Sequence, residues 1–392
     1  DAAGALLGPV VAYRDARTGR SVPAVLEGLG AEELYGLTGI QHQPFNTIFQ
    51  LKAEAMGLAP GGARLPQAAR ALLLPDLLAY WLTGQQVTEL TNASTTALLD
   101  ARTGDWSGPA LAAAGVERGL FAPLVEPGSA IGHLLPAIAA ATGLPETTPV
   151  VAVGSHDTAS AVAAVPRLGD GGTYVSCGTW SLAGVELAGP VLTAAARAAN
   201  FTNERGVGAT FRFLRNVMGL WLLTESQRQW RLEGRDAALG PLLAAAAAEP
   251  AGLALVDADA PEFLAPGDMP ARLAAAVARA GGRVPQTPAQ VTRLVIDSLA
   301  AAYAQAAADV ERLTGQPQPA LHLVGGGSQG ELLCQATADV AGRPVLAGPA
   351  EASALGNALV QAQALGAIGP GLDELRRVVA ASFPIKTYLP NV

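Results

Sequence analysis

Toward its C-terminal end the chain writes one pattern twice: LHLVGGG then SQGELLCQATADVAG, and RPVLAGP then EASALGNALVQAQALG. An apolar run of strand length, a glycine at its carboxyl end and a helix-length amphipathic segment, written twice in succession, read as alternating strand and helix. The fold class is therefore α/β, with glycines where ligands approach the ends of such strands. The same texture begins near residue 148. TPVVAVG reads as a buried strand, SHDTASAVAAVP as a short helix, and GGTYVSCGTWSLAGVEL as two strands joined at a Ser-Cys-Gly-Thr turn. Residues before about 150 show mostly helical periodicity, as in LPQAARALLLPDLLAYWLTG at 65–84, closed by the stop signal Thr83-Gly84. A chain of 392 residues, half of them hydrophobic, can bury two cores, and a second domain is expected to start near Pro166. The Ala-rich helices 242–248 and 271–280 read as cover rather than chemistry.

Charge and composition remove several function classes. A net charge of −8 leaves no electrostatic footprint for nucleic acid. No apolar run reaches the roughly 18 residues of a membrane span, and the opening DAAGALLGP lacks the order of a signal peptide, so a cytoplasmic protein is expected. Cys177 and Cys334 stand far apart, which encodes neither a disulfide framework nor a thiolate zinc site. The start at Asp1 rather than Met suggests a sequence cut from a longer one.

Within GSHDTASAVAAVP, His156 and Asp157 form an ionisable pair among small and apolar residues. A charge buried without a partner is costly, so such a pair is either satisfied structurally or placed for chemistry. Ser155, His156 and Asp157 are consecutive, so their side chains diverge and cannot form a triad. No metal-ligand spacing links His42, His133, His156 and His322. Neither lysine, Lys52 or Lys386, belongs to a phosphate-loop motif, so a nucleotide would be held by backbone amides, hydroxyls and Mg2+. Gly325, Gly327 and Gly330 fit GxGxxG, with Glu351 about 20 residues on, as an NAD-dependent oxidoreductase would require. Only one clear strand follows, however, and a tight turn needing glycine is the competing reading. Asp157, where a strand ends and a helix begins, can take a proton from a substrate hydroxyl attacking a γ-phosphoryl group, or can merely cap its helix. Gln41, His42, Gln43 and Asn46 suit sugar hydroxyls, or a satisfied loop network.

The segments VAYRDART, TGIQHQPFNT, LLLPDLLAYWLTG, TNASTT, SHDTASAV, SCGTWSL, NFTNERG, LRNVMGLWLL, LHLVGGGSQ and GPAEASALGN follow one another along the whole chain. Together they resemble the FGGY family of carbohydrate kinases, and within it the branch acting on L-rhamnulose. The resemblance implies two actin-like (ribonuclease H-like) domains with ATP and sugar in the cleft between them. Residues 1–165 would be the sugar-side domain, incomplete at its N-terminus, and 166–392 the nucleotide-side domain. It implies ATP with Mg2+, and L-rhamnulose phosphorylated at O1. By the same resemblance Asp157 is the proton acceptor, His156 and Thr158 contact the sugar, Asn216 faces the ligands, and Thr179 and Gly326 border the nucleotide. Thr224 stands where relatives carry a Gln next to ATP, and Gly330 where they carry Asn, so weaker nucleotide binding is expected. Family members open with a glycine-rich AspxGly hairpin, and this chain begins after it and ends at YLPNV without a final helix. The chain alone is therefore expected to be inactive. L-fuculose as the sugar, the oxidoreductase reading and a non-catalytic sugar-binding remnant stand as alternatives.

Overall fold

A computed structural model describes residues 1–12, 15–60 and 62–391. Tyr13 and Arg14 of the VAYRDART segment lie outside the described residues. The chain divides into two compact units: 1–163 with 186–213 and 356–375, and 164–185 with 214–355 and 376–392.

The first unit is built around helices Thr18–Gly28, Ala31–Thr38, Thr47–Ala55 and Gly108–Ala114. Their apolar faces meet in a core that includes Val25, Ile48, Phe49, Leu98, Trp106 and Phe121. Polar groups buried there have partners: the Ser21 hydroxyl donates to the Phe49 carbonyl at 2.7 Å, and the Tyr35 hydroxyl to the Phe201 carbonyl at 2.9 Å. The expected helix over 65–84 forms only in its second half, Leu74–Thr83. Pro66 and Pro75 each remove a backbone donor that a continuous helix requires. Leu65–Gln67 makes a single 3-10 turn, and Ala71 bridges to Phe121 instead. The stop signal acts as expected, with Gly84 at φ 72°. TPVVAVG yields only the strand Pro149–Val151, exposed to half-buried rather than buried, because its one partner is the short strand Ala130–His133 with an irregular register.

Among the described residues a seven-stranded sheet runs in the order Lys386–Tyr388, Val345–Ala347, Leu321–Val324, Thr173–Cys177, Trp180–Leu187, Phe211–Met218, Thr202–Arg205. Thr173–Cys177, Leu321–Val324 and Val345–Ala347 are parallel. Thr173–Cys177 and Trp180–Leu187 form the expected hairpin, paired from Tyr174↔Gly184 to Cys177↔Ser181. The 27-residue helix Pro288–Thr314 begins at a Thr287 cap, whose hydroxyl accepts from the Gln290 N–H. It buries Val295, Leu299 and Tyr303 in the same core as Val175, Leu321 and Leu323. Two strands follow the GxGxxG segment rather than one; the edge strand Lys386–Tyr388 has no apolar alternation to announce it. Leu321–Val324 pairs with a strand from far earlier in the chain, whereas a dinucleotide domain builds its sheet largely after the motif. Among the described residues no helix is long and apolar enough to cross a membrane.

Candidate active site

In the first unit, chemistry gathers at the head of helix Asp157–Ala163. Its run of small residues permits close packing: a Cβ placed on Gly356 would lie 1.8 Å from the Ser160 carbonyl oxygen. The Ser160 hydroxyl donates to the Gly154 carbonyl at 2.7 Å, folding the preceding turn back onto the helix. The supposed buried pair then separates. The Asp157 side chain is 83% exposed and that of His156 is 22% exposed, so only the imidazole sits among protein groups. Thr158 donates its hydroxyl to Asp157 Oδ1 at 3.2 Å, and His156 Nδ1 lies 3.7 Å from that oxygen.

His156 faces a buried ion pair. Arg212, fully buried, donates Nε–H to the Arg205 carbonyl at 3.1 Å and sets Nη2 3.0 Å from Glu204 Oε2. Its Nη1 lies 3.5 Å from His156 Nδ1. Burial first, and the Arg212 cation second, hold the imidazole pKa below its usual value, against the pull of Glu204 and Asp157. The ring is therefore neutral at pH 7. A guanidinium can only donate, so Nδ1 is the acceptor and Nε2 carries the proton. Glu204 Oε2, 4.0 Å from Nε2, is beyond hydrogen-bond range, which leaves that N–H able to donate to a ligand hydroxyl.

Beneath this turn lies Glu89, 1% exposed. Its carboxylate accepts from the Thr91 N–H and hydroxyl, the Asn92 N–H, and both the N–H and the hydroxyl of Ser155. Burial raises its pKa and these bonds oppose the rise. Glu89, Glu204, Arg212 and Ser155 were not singled out from sequence as site residues. Glu204 stands within NFTNERG and Thr91 within TNASTT, but their long separations from Asp157 leave no spacing to read. Of the polar cluster at 41–46, Asn46 is spent within the protein: Oδ1 accepts from the Gln43 N–H of its own loop at 2.8 Å and Nδ2 donates to the Thr95 carbonyl at 3.3 Å. His42 is exposed and packs edge-on to Phe49.

In the second unit, the turns after the parallel strands gather the remaining candidates. Gly178 and Thr179 are exposed, and their carbonyls accept from the Leu220 and Trp221 N–H groups at 3.0 Å, which ties this turn to the start of helix Trp221–Leu232. Thr224 is exposed in the first turn of that helix. Asn216 is half-buried on strand Phe211–Met218. The triple glycine divides by cause. A Cβ on Gly325 would meet the Cys177 carbonyl oxygen at 2.8 Å, and one on Gly327 the Cys177 sulfur at 2.1 Å, so packing against the neighbouring strand requires both. Gly326 is exposed with nothing within 4 Å of such a Cβ. Gly330, at φ −81°, is the N-cap of helix Glu331–Ala341.

The Thr179 hydroxyl and the open backbone at Gly326 are donors of the kind phosphate oxygens accept, which suits a nucleotide bound without lysine. No described cluster of three or more His, Cys, Asp or Glu could hold a metal by itself. Mg2+, which commonly binds through one or two carboxylates, phosphates and water, needs no such cluster.

Comparison with known proteins agrees with these arrangements. The profile described as "FGGY family of carbohydrate kinases, N-terminal domain" matches residues 1–164, and that of the C-terminal domain residues 173–365. A rhamnulokinase of Enterococcus faecalis (strain ATCC 700802 / V583) is 42% identical over 393 aligned residues, covering 100% of this chain and 77% of that protein. Among solved structures, ligand-bound xylulose kinase from Lactobacillus acidophilus superposes with a TM-score of 0.76 at 18% identity, over 99% of this chain and 76% of that one. Xylulose kinase from Rhodospirillum rubrum gives 0.76 at 22% identity, over 100% and 77%. Plasmodium falciparum glycerol kinase with ADP gives 0.75 at 12%, over 99% and 76%. These likenesses show the actin-like sugar kinase fold. The glycines explained by packing, and matches of this extent, displace the oxidoreductase reading. The chain belongs to the FGGY family of carbohydrate kinases and is a sugar kinase.

Proposed function

We propose that this kinase transfers the γ-phosphoryl group of ATP to O1 of L-rhamnulose, with Asp157 as general base. The 42% identity to a rhamnulokinase along the whole chain carries the choice of sugar. In this reading the first unit serves the sugar and the second the nucleotide, in the cytoplasm. The His156 Nε2–H donates to a sugar hydroxyl, fixed in its tautomer by Arg212, and Thr158 adds a hydroxyl beside it. The exposed Asp157 carboxylate takes the proton of the attacking hydroxyl as the new O–P bond forms and ADP departs. Asn216 contacts the ligands, while Thr179, Thr224 and Gly326 border the nucleotide. Bound Mg2+ would offset phosphate charge, held by phosphate oxygens, water and a carboxylate.

The test is a kinase assay on the full-length protein with L-rhamnulose, L-fuculose and D-xylulose, the product position read by 31P NMR. L-rhamnulose is expected to be preferred and to be phosphorylated at O1. Asp157→Asn should retain sugar binding and lose about 10² to 10⁴ in kcat, whereas His156→Ala should chiefly raise the sugar KM. Near-normal turnover in Asp157→Asn, or a preference for another ketose, would refute the corresponding part.

A further inference from the structure

Glu89 stands at the end of strand Thr88–Glu89 and caps the four-residue helix Leu90–Ala93. Capping alone would involve only the Thr91 and Asn92 N–H groups, and the residues preferred for it are the shorter Ser, Thr, Asp and Asn. The extra methylene of Glu carries Oε2 further, to the Ser155 N–H at 3.1 Å and the Ser155 hydroxyl at 2.6 Å, across 66 residues of sequence. A second strand of the same network runs through Thr91. Its hydroxyl donates to Glu89 Oε2 at 2.6 Å and accepts from the His156 N–H at 3.3 Å. Asp76 in turn holds Glu89, its Oδ1 accepting from the Glu89 N–H at 3.1 Å.

Both peptide groups immediately before the Asp157 helix are thus tied, directly or through one hydroxyl, to a single buried carboxylate. We propose that Glu89 is a positioning residue: it fixes the turn at Ser155 and His156, and through it the direction in which His156 and Asp157 are presented. The inference rests on the role given to Asp157 above. A displacement of about 1 Å at reacting groups can cost on the order of 10²-fold in rate, so a tether of this kind affects catalysis without touching substrate.

Glu89→Asp separates the two roles, because Asp is a preferred cap yet is one methylene too short for Ser155. In this variant of the full-length protein kcat should fall about 10²-fold, while the melting temperature stays near that of the wild type. Hydrogen exchange read by NMR should show the Ser155 amide losing protection while those of Thr91 and Asn92 keep it. Ser155→Ala leaves the cap intact and removes one bond, so it should lower kcat less, and the double variant should lower it less than the product of the two effects. Unchanged turnover in Glu89→Asp, or a Ser155 amide that stays protected, overturns the proposal. Asp157→Asn measured in parallel keeps the two claims distinct: its failure to lose activity refutes the base, whereas the exchange of Ser155 reads the tether directly.

Discussion

Asp76→Asn tests the electrostatics beneath the site quantitatively. Asp76 is 3% exposed and its Oδ1 holds the Glu89 N–H. Burial lifts its pKa from 3.8 to about 7; the Glu89 N–H opposes the rise and the Glu89 charge adds to it. Between these values the folded protein keeps a proton that the unfolded chain has lost, so stability falls as pH rises. The contribution is full below pH 3.8 and gone once the pH passes about 7. At 1.36 kcal/mol per pH unit, the loss from pH 5 to pH 8 comes to about 2–3 kcal/mol. The Asn variant keeps an Oδ1 acceptor and cannot ionise. Glu89, also raised by burial, remains in both proteins. Urea unfolding followed by tryptophan fluorescence, at steps from pH 5 to 8, should show the wild type losing about 2–3 kcal/mol more than Asp76→Asn. Parallel stability curves would show that Asp76 is already ionised at pH 5, and the reasoning would fail.

Arg212→Met strands the buried Glu204 carboxylate and should cost about 3–5 kcal/mol in unfolding free energy. It also removes the cation that depresses His156, so NMR titration should find the imidazole pKa raised. Gly327→Ala forces a methyl against Cys177 and should destabilise by about 1–3 kcal/mol in denaturant unfolding. Gly326→Ala meets open space and should leave stability unchanged while altering the KM for ATP, and an unaltered KM would remove Gly326 from the nucleotide site. In full-length protein, Thr224→Gln with Gly330→Asn adds amides worth about 0.5–1.5 kcal/mol each in hydrogen bonding and should tighten ATP binding severalfold by calorimetry, without changing the sugar preference.

The repeated strand–glycine–helix pattern at 321–366 and the hairpin at 173–187 were legible because their determinants are local: an apolar run, a turn, an amphipathic period. The head of helix Asp157–Ala163 was legible for the same reason. Proline chemistry, which is also local, breaks the helix that the apolar period over 65–84 predicts. Other features could come only from the folded chain. Whether Gly325, Gly326 and Gly327 serve a ligand or a neighbour depends on the end of Thr173–Cys177, about 150 residues earlier, and the answer differs among the three. The tautomer of His156 and the role of Glu89 arise from segments brought together across 56 and 66 residues, and the pairing of Glu204 with Arg212 from two strands laid side by side. Periodicity and turn chemistry act over one turn or one hairpin, so the sequence alone determined the elements and the family pattern. Burial and charge pairing act through space, so only the tertiary structure decided which ionisable groups are buried, which are paired, and which are exposed.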